Sequence, residues 1–174
     1  MRDCPLIYPD SDMYLDLITR NEALHKKTGQ PRWLSAKAVF EGIEVGYARM
    51  AVSPLIEAEV LINGSTRERS ARSPRVAEML GTWFTSPQTL WVDIDRFLVR
   101  EALRLREEYG RFHQGSKPFK SADALHLAAA LRAKCRYFMT HDEGFPIGMA
   151  VDGMEVIRPE VVWPEPLPFE EPEP

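Results

Sequence analysis

The chain has 174 residues, which points to a single domain with one sizeable core. Its 44% hydrophobic and 28% charged residues are ordinary for a globular protein, and a formal net charge of -4 argues against gripping nucleic acid by bulk charge alone. No apolar stretch is long enough to span a bilayer and no basic segment leads an apolar run at the N-terminus, so a cytoplasmic protein without a membrane contact is expected.

In chain order, Leu6, Ile7 and Tyr8 read as a buried strand that ends before Pro9, because proline in a central strand removes a ladder hydrogen bond. Met13 to about Lys27 follows as a helix stopped by Gly29 and Pro31, with Asp12 placed to cap it. Leu34 to Val45 is a second helix with Ser35 near its start, and Tyr47 to Val52 a short strand. "SPLIEAEVLI" then gives a Ser53 cap, Pro54 at the first helical position and a helix. Asn63 to Arg75 is polar and basic, a loop or exposed helical turn, and Val76 to Phe84 another short helix.

"TLWVDI" reads as a third strand, and Asp95 to Tyr109 as an amphipathic helix offering Phe97, Leu98, Leu103 and Leu105 to the core. After a loop rich in Gly and Pro comes the alanine-rich helix "SADALHLAAALRAK", then a "CRYFMT" strand and a last strand near Met154 to Arg158. Cys4 and Cys135 lie outside any Cys-x-x-Cys or Cys/His pattern and read as small buried hydrophobes. Strands alternating with helices indicate an α/β fold with a mostly parallel sheet. Residues 1–158 form the expected domain, and the proline-rich acidic tail 159–174 an arm lying on the surface or disordered.

In such sheets ligands bind at the carboxyl ends of the strands. Asp10 follows the first strand, Asp142 follows "CRYFMT", Asp123 opens the alanine-rich helix, and Glu59 sits on the helix entered from the Tyr47 strand. Each has a plain structural explanation, a cap or a solvated turn; their shared edge is what singles them out. Two carboxylates ~4 Å apart repel by ~4 kcal/mol at an effective dielectric of ~20. A folded state stable by only ~5–15 kcal/mol needs a counter-charge for several such pairs. All-oxygen ligation selects Mg²⁺, or Mn²⁺, over zinc.

The order of these acids, and above all "SADALHLAAALRAKCRYFMTHDEGF", resembles the PIN domain nucleases, especially the VapC-type toxins of toxin–antitoxin pairs. The resemblance covers Leu6 to about Phe145 and implies a PIN-like α/β/α sandwich, a central mostly parallel sheet flanked by helices. It also implies Mg²⁺-dependent endoribonuclease activity through a metal-activated water, a homodimer, and a small antitoxin protein that wraps the toxin near its acidic pocket. Carried over by position, the metal and catalytic residues are Asp10, Glu59, Asp123 and Asp142; Glu57 is the weaker match, and Asp12 and Thr140 are supporting residues behind them. The sequence departs from the family at Asp12, where Asn is frequent, at Ser11 and Pro9, and at His141, where Arg or Asn is frequent.

His126, between Leu125 and Leu127 on a buried helix, reads as a hydrogen-bonded core histidine rather than a general base. Trp33, Trp83, Trp91 and Trp163 read as core or interface anchors. For the RNA backbone, Arg111, Lys117 and Lys120 precede Asp123 and are preferred to the Arg67, Arg69, Arg72 and Arg75 run. Two other functions fit parts of the pattern: a PIN-like protein that binds RNA or a partner without cleaving, and a haloacid-dehalogenase-like phosphatase with Asp10 as nucleophile and Asp12 as acid. The second lacks a later Gly-Asp metal motif.

Overall fold

Residues 4–113 and 115–164 are described in a computed structural model of the chain. Six strands form one sheet in the order β3-β2-β1-β4-β6-β5, where β1 is Leu6–Pro9, β2 Arg49–Val52, β3 Leu90–Trp91, β4 Tyr137–Met139, β5 Ala150–Val151 and β6 Met154–Ile157. Every pairing is parallel except β5 with β6, and all residues of β1 and β4 are buried, as expected where helices cover both faces. The helices are α1 (Ser11–Thr19), α2 (Arg32–Glu44), α3 (Pro54–Ile62), α4 (Gly64–Arg72), α5 (Pro74–Thr85), α6 (Arg96–Tyr109) and α7 (Ser121–Arg132). This is the mostly parallel α/β/α sandwich expected.

The chain leaves β1 toward β2 on one side, and β4 pairs on the other. Strand order therefore reverses between β1 and β4, and the loops after these strands part there to open a crevice. Pro9 belongs to β1, one residue further than expected. The pairing with β2 stops at Ile7–Met50, whereas the pairing with β4 runs on to Pro9–Met139 and Asp10 N–H donates to the Met139 carbonyl at 2.9 Å. Successive N–H groups alternate sides, so the proline nitrogen faces the side on which the ladder has ended, and no bond is lost.

Other boundaries move for local reasons. Helix α1 stops at Thr19, not near Lys27, because Arg20 turns left-handed (φ 51) and the chain to Pro31 closes on a Leu24–Pro31 bridge. Buried His25 staples that loop: its Nδ1 accepts from Lys27 N–H at 3.1 Å, and its Nε2 then donates to the Pro159 carbonyl at 3.0 Å. The basic Asn63–Arg75 stretch is a helix, α4, because the Asn63 side chain accepts from Ser65 and Thr66 N–H. On α6, Leu98, Ala102 and Leu105 form the buried stripe; Phe97 and Leu103 are each 56% exposed, contrary to expectation, since they flank that stripe. Cys135 is buried, while Cys4 is only half-buried.

One face of the sheet packs Tyr8, Phe138 and Phe145, with Tyr8 stacked on Phe138 at 5.5 Å; the other gathers Tyr14, Phe40, Trp83 and Phe84 between α1, α2 and α5. Trp83 is thus a core anchor, Trp33 and Trp163 are partly buried, and Trp91 is exposed on the edge strand. The first residues of the proline-rich segment lie on the body: Lys27 pairs with Glu160, and the Trp163 ring covers Gly42 on α2 so closely that a Cβ there would stand 1.9 Å from it. Residues 165–174 of the expected tail lie outside the described residues. Among the described residues no helix is long and apolar enough to cross a membrane.

A candidate metal centre at the carboxyl edge of the sheet

The crevice between β1 and β4 is walled by Asp10. Its side chain caps α1, accepting from Ser11 N–H at 2.8 Å through one oxygen, and accepts the Thr140 hydroxyl at 2.7 Å through the other. The expected cap, Asp12, instead accepts from His141 N–H at 2.7 Å and faces the Arg32 guanidinium at 3.3 Å. Thr140 is wholly buried after β4; its oxygen accepts Asp142 N–H at 2.9 Å while its proton goes to Asp10. One hydroxyl thus ties the ends of both central strands together.

Glu59 reaches the same place from α3, and α7 brings His126 and Asp123. The ligand atoms of Asp10, Glu59 and His126 all lie within 4.8 Å of one another. His126 Nε2 meets Glu59 Oε2 at 3.1 Å, and its Nδ1 meets the Tyr8 hydroxyl at 3.1 Å. Asp123 accepts Lys120 N–H at 2.7 Å, and Asp142 accepts Gly144 N–H at 2.9 Å. These last two carboxylates flank Gly144, where a Cβ would stand 3.4 Å from an oxygen of each. The four acids expected at the site thus form two pairs, Asp10 with Glu59 and Asp123 with Asp142; burial opposes a charge on His126, but the Glu59 hydrogen bond and the Asp10, Glu59 and Asp123 charges outweigh it and raise its imidazole. Glu57, the weaker match, is absent from the cluster.

The electrostatics are those of a centre short of positive charge. Burial pushes the Asp10 carboxyl up to about 6, with His126, Thr140 and Ser11 only partly opposing it. Burial raises Asp123 as well, helped by the nearby Asp142 charge. At Glu59 burial is outweighed by the His126 hydrogen bond, and the carboxyl falls below its ordinary value. Among the described residues no lysine or arginine pairs with Asp10, Glu59 or Asp123; Lys117 approaches Asp142, 3.5 Å away and largely exposed. Clustered oxygen donors, two of them holding protons too tightly, are the donor set a hard divalent cation fits.

Beside this cluster lies a network that sequence reasoning missed. Arg32 donates from Nε to Asp16 at 3.0 Å while facing Asp12, and Asn21 donates to the other Asp16 oxygen at 2.6 Å. Asp12 and Asp16, four residues apart on α1, share a helix face, and like charges so spaced demand a cation between them. That spacing was the available signal. His141 packs edge-on against His25, and burial followed by the Arg32 charge pushes its imidazole down to about 3, so it stays neutral. A cleft of about 310 Å³ bordered by Asp12, Asn21, Arg32, Lys117 and Asp142 opens between this network and the acidic cluster.

Fold and site define a doubly wound α/β protein with an acidic centre at its topological switch point. Residues 22–147, more than half of the chain, match the PIN domain family model, and the chain belongs to the PIN domain family. That match begins beyond Asp10. Solved structures share the fold: a toxin–antitoxin complex from Klebsiella pneumoniae (TM-score 0.55, 19% identity, 89% of this chain and 99% of that one) and VapBC2 from Rickettsia felis bound to a DNA fragment from their promoter (0.57, 12%, 88% and 98%). FitAcB from Neisseria gonorrhoeae is similar at TM-score 0.52 and 18% identity, covering 88% of this chain and 97% of that one. No curated protein matches the chain.

Proposed function

We propose that this PIN domain is a metal-dependent endoribonuclease, the toxin of a type II toxin–antitoxin pair, acting in the cytoplasm. The observation that supports the reading is the clustering of Asp10 and Glu59 with His126 within 4.8 Å of one another, with no lysine or arginine paired to either acid among the described residues, and the second pair Asp123 and Asp142 around Gly144. Asp10, Glu59, Asp123 and Asp142 would hold Mg²⁺, with Mn²⁺ as a substitute. When bound, such an ion supplies an activated water and stabilises the charge of an in-line phosphodiester displacement that releases a 3′-hydroxyl.

The chain's own residues prepare that chemistry. Thr140 fixes Asp10 against β4, and Asp12 supports the same corner through His141 N–H. Lys117, exposed beside Asp142, turns to an incoming phosphate, with Arg111 and Lys120 behind it. We assign the antitoxin to a groove of about 860 Å³ between α1, α2, α4 and α5, whose apolar floor includes Leu17 and Met79 and whose rim carries Arg69, Arg72 and Arg75. Exposed Phe97, Val99 and Leu103 on α6 support a homodimer. The phosphatase alternative is disfavoured because Asp12, its required acid, is engaged by Arg32 and His141 N–H.

The test is incubation of the purified protein with total RNA, with Mg²⁺ and with excess chelator, beside Asp10→Asn. Loss of a principal electrostatic element costs ~10²–10³-fold or more, so Asp10→Asn should leave almost no cleavage. Full activity in that variant, or cleavage undiminished by chelator, would overturn the reading. RNA binding without cleavage under every divalent metal tried would replace it with a non-catalytic binding function.

A further inference from the structure

Glu59 differs from the other three acids in how it is held. Asp10, Asp123 and Asp142 are short side chains, each accepting a backbone N–H from its own turn. Glu59 has one more rotatable bond, stands on the second turn of α3 with a third of its side chain exposed, and takes its principal bond from the His126 ring. Behind His126 the bonding continues into the core: Nδ1 to the Tyr8 hydroxyl at 3.1 Å, and Tyr8 to the Ser53 hydroxyl at 2.7 Å. Tyr8 and Ser53 are fully buried and His126 is 2% exposed.

The direction of the chain follows from donor inventory. An ionised carboxylate only accepts, so the proton between Glu59 and His126 belongs to Nε2. In the neutral ring Nδ1 accepts the Tyr8 proton and the Tyr8 oxygen accepts from Ser53; in the protonated ring that the neighbouring acids favour, Nδ1 donates to the Tyr8 oxygen and Tyr8 donates to Ser53. In both states the four groups stay bonded in line and Nε2 carries the proton toward Glu59. Ser53 departs from its local role to do this: it occupies the N-cap position of α3, followed by proline, yet its side chain makes no cap bond. Giving up a serine cap costs ~1 kcal/mol.

We propose that Ser53, Tyr8 and His126 form a positioning relay that aims the Glu59 carboxylate at Asp10, with His126 acting through Glu59 rather than as a ligand itself. This rests on the metal reading of the acidic cluster. With Nε2 carrying a proton toward Glu59, its lone pair is not offered to a cation, although the ring lies within ligand distance of both acids. Partners that orient a metal-binding carboxylate change affinity by ~10–100-fold when removed.

The test uses Mn²⁺ as a probe on the full chain, with the dissociation constant and pulsed electron paramagnetic resonance as readouts. Wild type should bind Mn²⁺ without the nitrogen coupling of a coordinated imidazole. His126→Gln keeps a donor near the Nε2 position and should stay within a few-fold of wild type. His126→Asn keeps only the inner half of the side chain and should weaken binding ~10–100-fold, with Tyr8→Phe between them. Thermal unfolding of each variant accompanies the titration, because a purely structural role would make affinity follow stability instead of the Gln/Asn difference. Imidazole coupling in wild type that vanishes in His126→Gln would overturn the relay and leave the metal centre standing, as would equal affinity in all variants. Absence of Mn²⁺ binding in wild type would overturn both.

Discussion

Two groups of acids flank the start of α1, and they have opposite solutions to the same problem. Asp12 and Asp16 face a guanidinium: Arg32 reaches over from α2, at 3.0 Å from one and 3.3 Å from the other. Asp10 and Glu59, with Asp123 and Asp142 as a second pair, are offered hydroxyl, amide and imidazole donors, and the one lysine near them, the largely exposed Lys117, reaches only Asp142. The first group already has a cation set against it and ties two helices together, although burial still raises both carboxyls and one Asp12 oxygen is buried without a hydrogen-bond partner. The second remains short of positive charge, which is the condition for recruiting it from solution. Proximity of carboxylates thus does not mark a metal site; what matters is whether the fold has already neutralised them.

The strongest way to break that comparison is to remove Arg32. Arg32→Met leaves Asp12 and Asp16 without their counter-charge in a mostly buried setting, and breaking such a pair costs ~3 kcal/mol. At ~2–4 °C per kcal/mol for a chain of this size, thermal unfolding should fall by roughly 10 °C. Pairing the change with Asp16→Asn should recover part of the loss, since the uncompensated charge is what does the damage. A midpoint unchanged in Arg32→Met would mean the arginine is dispensable and the two acid groups are not different in kind.

How much of this was legible in the sequence depended on range. The alternation of strands and helices, Asp10 after β1, Pro54 opening α3 and Asp123 in the first turn of α7 all follow from local pattern. The β5–β6 hairpin was also written locally, in Asp152 and Gly153, both with positive φ between two short strands, and went unread. Other features were set by partners far along the chain. Nothing near Asp12 reveals that Asp10 takes the cap, because the choice is settled by Arg32 and the His141 N–H, 20 and 129 positions away. His126 was correctly read as a satisfied core histidine, but its partners Tyr8 and Glu59 are 118 and 67 positions distant, so its place beside the acids was invisible.

A milder perturbation uses pH. The Asp10 carboxyl is raised by burial to about 6 from its ordinary value of 3.8, so the folded, metal-free chain binds a proton there more tightly than the unfolded chain does. Its contribution to stability is therefore present below pH ~4 and is lost as pH rises through about 6. On the proposed metal reading a divalent cation would replace that proton. Added Mn²⁺ should raise the unfolding midpoint most above pH 6 and progressively less below it, as protons compete for the same oxygens. The Arg32 group predicts the reverse insensitivity: the midpoint of an Asp10→Asn variant, which keeps that group, should respond little to Mn²⁺ at any pH. An Mn²⁺ effect that persists in Asp10→Asn would place the cation elsewhere.

The smallest change acts on geometry alone. At Gly144 an added Cβ would stand 3.4 Å from both the Asp123 and Asp142 oxygens and 3.2 Å from the Pro118 carbonyl. The first two are ordinary contacts, while the third is tight enough to require a shift of a few tenths of an ångström in the loop that leads to α7. Gly144 has no positive φ, so alanine meets no backbone strain and also narrows the unfolded ensemble, a gain of ~0.4–1 kcal/mol that offsets the crowding. Stability should therefore hardly move in Gly144→Ala. Separating Asp123 from Asp142 even slightly should still weaken Mn²⁺ binding several-fold, because a hard cation is sensitive to the spacing of its oxygens. Unaltered affinity would mean that this pair stands beside the centre formed by Asp10 and Glu59 and does not take part in it.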